Sequence, residues 1–227
     1  MRTAEILSIN IGKPIQVQFK NKEISTGIFK TPTNDPLFLS WLKFEGDGQA
    51  DLVHHGGREK AVCVYSFDHY SYWEKELQKT LEYGAFGENV TIRGMVETEV
   101  CIGDIFKLGE AVVQISQPRQ PCYKLSVKYD KPDMPLRVQE TGYTGFYFRV
   151  LEQGMVSRSD RLIKLDSHSK AVSVSYANHI MHRDKNNIEG IQKILEVEEL
   201  SASWRKTFLK RLEGSETNAR ERLTGDK

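Results

Sequence analysis

Cysteine is scarce in this sequence, and long apolar runs are missing from it. The 227 residues include three cysteines, Cys63, Cys101 and Cys122, which are odd in number and widely spaced. Such a set contains neither a disulfide framework nor a CxxC pair of the kind that binds zinc. Residues 1–14 contain no apolar stretch of signal-peptide length, and no segment approaches the length of a membrane span. We therefore expect a cytoplasmic protein in a reducing compartment, with no membrane partner.

An excess of charge of either sign is also missing. The chain carries 32 basic and 31 acidic residues, for a formal net charge of +1. A chain this balanced has no general electrostatic attraction for nucleic acid, so no nucleic-acid partner is predicted. The hydrophobic content of 39% is enough for one large domain, or for one domain with a small appendage.

Short β-strands are predicted over residues 1–166. Segments rich in Val, Ile, Phe and Tyr alternate roughly with a period of two, and clusters of Gly, Pro, Asn and Asp separate them, as in KTPTNDP and YDKPDMP. Many short strands favour a barrel or a sandwich over a doubly wound sheet. One helix is predicted among them, over residues 67–83, where large apolar residues recur along one face. The fold class is therefore mainly β.

The pattern changes near Ser167, after which three short helices are predicted. Ser201 is the expected N-cap of the last helix and Gly214 its end, and the polar tail beyond Gly214 is expected to fray. His179 and His182 are interpreted as surface histidines rather than as metal ligands. We place the domain boundary at 166/167. Residues 1–166 form the β-rich domain, and residues 167–227 form a three-helix module with a polar tail.

The segment QPRQPCYKL, residues 117–125, is the first candidate for chemistry because it holds Cys122 in a stiff and positive setting. Its prolines and cations are Pro118, Pro121, Arg119 and Lys124. Neighbouring cations lower the pKa of a thiol, and the thiolate is the form that attacks or binds a metal. A buried structural cysteine is the alternative, and this segment alone leaves the two possibilities open. Cys63 and Cys101 lie in apolar strand-like segments and are interpreted as structural.

A second candidate is GDGQADLVHHGGREKAV, residues 46–62. Its polar residues are Asp47, Gln49, Asp51, His54 and His55. The Gly56–Gly57 pair allows a ligand to approach the backbone closely, and Lys60 could bind a phosphate there. The segment contains neither a Walker loop nor an HExxH motif, and adjacent histidines rarely bind one ion. A glycine-rich turn with solvated charges is the alternative. A third segment, YGAFGENV, offers Asn89 just before a strand and is weak alone.

Taken together, these segments and VCIGDIF resemble, in order and spacing, the MOSC domain, which is named for the C-terminal region of molybdenum cofactor sulfurases. The resemblance is to the bacterial YiiM branch, covers nearly the whole chain, and includes the SASWRKT stretch of the helical module. One departure is Arg58–Glu59, where relatives often have a proline and an acid. The resemblance implies a MOSC-type β-barrel that binds a molybdenum–pterin cofactor.

In that family a cysteine ligates the molybdenum or carries sulfur, and Cys122 occupies its place. The resemblance implies that loops at one end of the barrel bring the cofactor-binding residues together: Gln49, Asp51, Gly56, Gly57, Lys60, Asn89, Arg119 and Lys124. No pyridoxal phosphate is expected, because the sulfurase domain that uses it is absent from this chain.

The YiiM branch is associated with the reduction of N-hydroxylated compounds, including hydroxylamino purines, and so with detoxification. The implied activity is the molybdenum-cofactor-dependent reduction of N-hydroxylated small molecules. A separate reductase would supply the electrons, and a homodimer is the preferred oligomeric state. His54 or His55 is our candidate proton donor. The alternative is a sulfur carrier or cofactor-handling protein that forms a persulfide on Cys122.

Overall fold

The computed structural model describes residues 2–50, 56–215 and 218–226, which form a mainly β structure. The strands in the described part of the chain are Thr3–Ile11 (β1), Ile15–Phe19 (β2), Lys22–Thr26 (β3), Thr31–Thr33 (β4), Leu37–Leu39 (β5), Val62–Ser66 (β6), Val90–Arg93 (β7), Ile105–Leu108 (β8), Ala111–Pro118 (β9), Phe146–Glu152 (β10), Gly154–Val156 (β11) and Arg161–Asp166 (β12).

Seven of these strands close into a barrel. Their order is β12-β8-β9-β10-β6-β7-β1, and β1 pairs again with β12 through Thr3 and Ile163. The pair β6–β7 is parallel, whereas the other barrel pairs are antiparallel. A parallel pair needs a crossover connection, and here a helix lies between the two strands. The prediction of a mainly β protein with a barrel is confirmed.

The barrel strands are apolar because many of them are covered on both faces. All five residues of β6 are buried, and large side chains such as Phe106, Phe148 and Ile9 fill the interior. Burying one such side chain stabilises the fold by about 1.5–3 kcal/mol. The buried faces therefore hold the strand ends in place, and the loops at those ends can carry a site.

The predicted helix at residues 67–83 is shorter than expected. A 3-10 turn, Phe67–His69, leads into helix α1, Tyr70–Leu77, which ends where Gln78 adopts a left-handed conformation with φ of 53°. Two helices between β9 and β10 were missed, namely α2, Lys124–Tyr129, and α3, Met134–Thr141. Prolines made this region look like a turn, but proline is compatible with the first turn of a helix, which is where α3 carries one.

The three predicted C-terminal helices are present. They are Val174–His182 (α4), Ile188–Leu195 (α5) and Ala202–Leu212 (α6). The Ser201 side chain caps α6 by accepting from the amide of Trp204 at 3.4 Å. Trp204 and Phe208 belong to the same hydrophobic cluster as the barrel interior. The boundary at 166/167 stays a prediction. No helix in the described ranges is both long enough and apolar enough to cross a membrane.

His182 differs from the surface histidine that we predicted. Its ring packs edge-on against Trp204, and its Nε2 atom is buried with no hydrogen-bond partner among the described residues. Burial, followed by the positive charge of Arg222, lowers the pKa of His182 to about 3. His179 is exposed, as predicted. The helical pattern could not reveal that the last turn of α4 lies under α6.

The tail beyond Gly214 also differs from its prediction. Residues 220–224 form a short helix, α7, instead of a frayed end. The carbonyl oxygen of Arg222 accepts a hydrogen bond from the amide of Tyr123 at 2.8 Å. Polar composition predicted fraying, but this contact ties the tail to a loop about 100 residues earlier in the chain.

Candidate cofactor site

A pocket lies where the predicted segments converge. Its empty volume is about 590 Å³, part of which is open to solvent. The residues that line it are Thr26, Gly27, Ile28, Lys30, Gly48, Gln49, Ala50, Cys63, Gly87, Asn89, Arg119, Cys122, Lys124 and Tyr147. The structure therefore brings together five predicted site residues: Gln49, Asn89, Arg119, Cys122 and Lys124.

Cys122 lies between strand β9 and helix α2. Only 6% of the residue is exposed, and its carbonyl oxygen accepts from the amide of Leu125 at 3.0 Å as α2 begins. Pro121 restricts the backbone just before it. The thiol is therefore presented to the pocket by a short, well-defined turn.

Arg119 is buried on the same wall, with 6% of the residue exposed. Its Nη2 atom donates to the carbonyl oxygen of Phe86 at 2.6 Å, whereas its Nη1 atom is buried and has no hydrogen-bond partner in the described ranges. Burial alone would lower the pKa of Arg119, but the neighbouring ionisable groups, Cys63 first, raise it above its usual range. The guanidinium is therefore charged. An unsatisfied buried donor is costly, so this atom fits an anionic ligand that the protein does not itself supply.

Two lysines of the pocket are held by the protein. Lys30 forms a buried ion pair with Asp47, and Lys124 donates from Nζ to the carbonyl oxygen of Ser25 at 2.7 Å. Lys30 was not predicted, because its segment was interpreted as a turn between strands. Because Lys30 is paired with Asp47, the positive charge of the pocket wall comes from Arg119 and Lys124.

Asn89 has a scaffolding role in the structure. Its Oδ1 accepts from the amide of Cys63 at 3.1 Å, and its Nδ2 donates to Asp47 at 2.9 Å and to the carbonyl oxygen of Asn10 at 3.3 Å. These bonds fix β6, β1 and the Asp47 loop relative to one another. The predicted cofactor contact stays a prediction, but the side chain is on the pocket wall.

Cys63 and Tyr147 are pocket residues that sequence reasoning missed. Cys63 was interpreted as structural because its strand is apolar, and it does lie in β6, but it also lines the pocket. Burial raises the pKa of Cys63 to about 11. At neutral pH this thiol is therefore protonated. Cys63 is paired with Tyr147 of the neighbouring strand β10, and this register places both residues at the pocket.

The second predicted segment reaches the pocket only in part. Asp51, His54 and His55 lie outside the described residues. In the ranges that are described, the pocket lining does not include Gly56, Gly57 or Lys60. The predicted juxtaposition of Lys60 with Arg119 is therefore not part of this pocket wall.

The unusual Arg58–Glu59 pair has local partners. The carboxylate of Glu59 accepts from the amide of Ala202, at 3.0 and 3.1 Å, where α6 begins. Arg58 lies over the ring of Trp41, 5.4 Å from its centroid. A carboxylate at the N-terminus of a helix satisfies free amides and the helix dipole. This departure from the family pattern thus joins the Gly56–Gly57 turn to the helical module.

Metal-binding clusters of His, Cys, Asp and Glu are not found in the described part of the chain, where no three such side chains come together. A metal held only by protein ligands therefore has no support there. The Cys122 thiol beside cations instead fits a metal that arrives with most of its own ligands, as in a molybdenum–pterin cofactor.

The comparisons with known proteins agree with this architecture. Residues 51–163 match the MOSC domain family, so the barrel and its pocket are those of a MOSC-domain protein. Residues 172–214 match the family described as the YiiM-like 3-alpha helix domain. The chain belongs to the YiiM family of MOSC-domain proteins.

Individual relatives cover nearly the whole chain. The chain is 52% identical over 206 residues to the uncharacterized protein YflK of Bacillus subtilis, which covers 91% of this chain and 93% of that protein. The crystal structure of YiiM from Geobacillus stearothermophilus superposes with a TM-score of 0.79 at 40% identity, over 92% of this chain and 99% of that one. A protein of Gibberella moniliformis named "Reductase" is 38% identical over 148 residues. That match covers 63% of this chain and 26% of the fungal protein.

Proposed function

We propose that this protein is a molybdenum-cofactor oxidoreductase that reduces N-hydroxylated compounds, such as hydroxylamino purines, to amines. The observation that carries the proposal is the buried Nη1 atom of Arg119, which has no hydrogen-bond partner among the described residues and lies in the pocket that also holds Cys122. Membership of the MOSC family and similarity to a fungal protein named as a reductase support the same class of activity.

The donor set of the pocket fits such a cofactor. Cys122 offers the soft sulfur ligand that suits molybdenum. Arg119 and Lys124 would hold the anionic end of the cofactor, since phosphate groups are bound well by charge-assisted hydrogen bonds. Gly87, with φ of +76°, lies so close to Ile28 that an added Cβ would be 2.7 Å from its Cγ1 atom. The pocket wall is therefore formed by backbone at this point.

Different residues of the chain would have different roles in the reaction. When bound, the cofactor supplies the two electrons that cleave the N–O bond, which with two protons gives the amine and water. Arg119 and Lys124 would orient the anionic end, and the burial of Cys122, of which 6% is exposed, would limit access of water to the thiol. His54 or His55 would donate a proton to the leaving oxygen. A separate reductase would supply the electrons.

The test is the molybdenum and pterin content of protein made in a host that synthesises the cofactor. Wild type, Cys122→Ala and Cys101→Ala would be compared, since Cys101 lies outside the pocket. We expect near-stoichiometric molybdenum in wild type and in Cys101→Ala, and its loss in Cys122→Ala. Loaded wild type with a chemical reductant should then convert an N-hydroxylated purine to its amine.

Two results would contradict the proposal. If the loaded protein reduces no N-hydroxylated substrate, the proposed reductase activity is wrong. Absence of molybdenum from wild type, together with a mass gain on Cys122, would instead favour a sulfur carrier that forms a persulfide there.

A further inference from the structure

The C-terminal segment, residues 218–226, contacts the backbone on both sides of Cys122. The carbonyl oxygen of Arg222 accepts from the amide of Tyr123 at 2.8 Å. The Nη1 atom of the same arginine donates to the carbonyl oxygen of Pro121. One residue of the tail therefore satisfies the peptide groups immediately before and after the candidate metal ligand.

Further contacts hold the segment in this position. The Nη2 atom of Arg222 donates to Oε1 of Gln139 at 2.9 Å, and Lys20 donates from Nζ to the carbonyl oxygen of Thr224 at 3.0 Å. Gly225, with φ of +76°, lies against the ring of Tyr123, and an added Cβ would be 2.9 Å from its Cδ2 atom. The tail is thus anchored to α3 through the middle of α7 and to the β2–β3 hairpin through its C-terminal end.

The guanidinium of Arg222 also lies within electrostatic range of the pocket thiol. Burial lowers the pKa of Arg222, and Cys122 acts in the opposite direction. The segment follows residues 51–163 and 172–214, which are the ranges that match the two families, so neither match includes it. The segment contacts the loop that carries Cys122 rather than the pocket itself.

We propose that residues 218–226 form a strap that fixes the Cys122 loop, and that Arg222 is its positioning residue. The peptide groups of Pro121 and Tyr123 lose their partners without the strap, so the thiol would no longer be held in one position. The consequence for molybdenum binding depends on the function proposed above, whereas the strap itself can be tested without the cofactor.

The first test is amide hydrogen exchange of the full-length apoprotein. Arg222→Gln removes the charge and the forked guanidinium that reaches both Pro121 and Gln139, and Gly225→Val prevents close packing on Tyr123 without a change of charge. Arg220→Gln is the matched control, since Arg220 is exposed on the same short helix. We expect exchange at the Tyr123 amide to rise about tenfold or more in the first two variants, as expected for loss of a charge-assisted contact, and to stay unchanged in the control. Arg222→Lys should restore part of the protection, because it retains a charged donor.

The second test is the rate at which molybdenum leaves loaded protein after dilution into a chelator. We expect release to be about tenfold faster in Arg222→Gln and Gly225→Val, with thermal midpoints close to that of wild type.

Two results would overturn the proposal, and a third would overturn only the proposed function. Unchanged Tyr123 exchange in both variants would overturn the strap. Faster exchange with unchanged molybdenum release would overturn the positioning role. If wild type binds no molybdenum, the proposed function fails, and the exchange experiment still decides whether the strap exists.

Discussion

Arg119 and Phe86 are joined by a hydrogen bond of 2.6 Å from the guanidinium Nη2 atom to the backbone carbonyl oxygen. The Phe86 loop is itself fixed by Glu88, whose buried carboxylate accepts from the amides of Gly84 at 3.0 Å and Phe86 at 2.9 Å. Arg119 therefore binds a rigid loop through Nη2, whereas Nη1 has no partner in the described part of the chain and could bind a ligand. This division explains how the QPRQPCYKL and YGAFGENV segments act as one site.

The first prediction concerns Arg119. Arg119→Lys keeps the positive charge but cannot reach Phe86 and the ligand together, so we expect molybdenum–pterin affinity to fall by about ten- to a hundredfold. Molybdenum content at limiting cofactor would measure this. Arg137→Lys is the control, because Arg137 forms only exposed ion pairs with Asp133 and Glu76 among the described contacts. Equal loading of the Arg119 variant and wild type would show that Nη1 does not hold the cofactor.

Much of the β fold was predictable, because period-two alternation reports burial on the two faces of a strand. The short helices α2 and α3 were not predictable, because prolines at 118, 121, 132 and 135 interrupt the helical sequence pattern. Proline at the start of a helix and proline in a loop have the same local signature, and only packing distinguishes them.

The candidate site was predictable where it lay in distinctive loops. Arg119 and Cys122 stood out because the polar, proline-flanked segment had no apolar explanation. Cys63 and Tyr147 did not stand out in the sequence, because they occupy apolar strands. Only the strand register places them at the pocket. Arg222 is about 100 residues from Cys122 in sequence, and no local pattern reports such a contact.

The second prediction separates scaffolding from ligand binding at Asn89. Asn89→Ala leaves the amide of Cys63 and the carboxylate of Asp47 without their amide partner, so we expect a loss of about 2–3 kcal/mol in the free energy of unfolding. Urea denaturation would measure it. Asn34→Ala, in an exposed loop between β4 and β5, is the control. An unchanged free energy with lost cofactor binding would instead make Asn89 a ligand contact.

The third prediction concerns Cys63. Since burial raises its pKa to about 11, iodoacetamide labelling of Cys63 in the Cys122→Ala apoprotein should rise about tenfold per pH unit from pH 8 to 10. Peptide mass spectrometry would follow the label. Labelling that levels off below pH 9 would show that Cys63 is a second reactive thiol, and the pocket would then suit sulfur transfer better.

The fourth prediction is an acid sensitivity that depends on His182. Its pKa is about 3 in the folded state and about 6.5 when unfolded. The unfolded chain therefore binds the extra proton between these values, and stability falls as the pH falls through this window. Between pH 7 and pH 5 this group alone should cost about 2 kcal/mol.

Replacement of His182 by Leu removes the titrating ring and keeps an apolar contact with Trp204. We expect the fall in unfolding free energy between pH 7 and pH 5 to be smaller in His182→Leu than in wild type by about 2 kcal/mol. His179→Leu is the matched control, because the exposed His179 lies on the same helix. Urea denaturation at both pH values would measure the difference.

Since Arg222 contributes to the low pKa of His182, Arg222→Gln should also reduce the acid sensitivity, but by less than His182→Leu. An identical pH dependence in His182→Leu and wild type would show that the ring is solvated, and the packing of α4 under α6 would need revision.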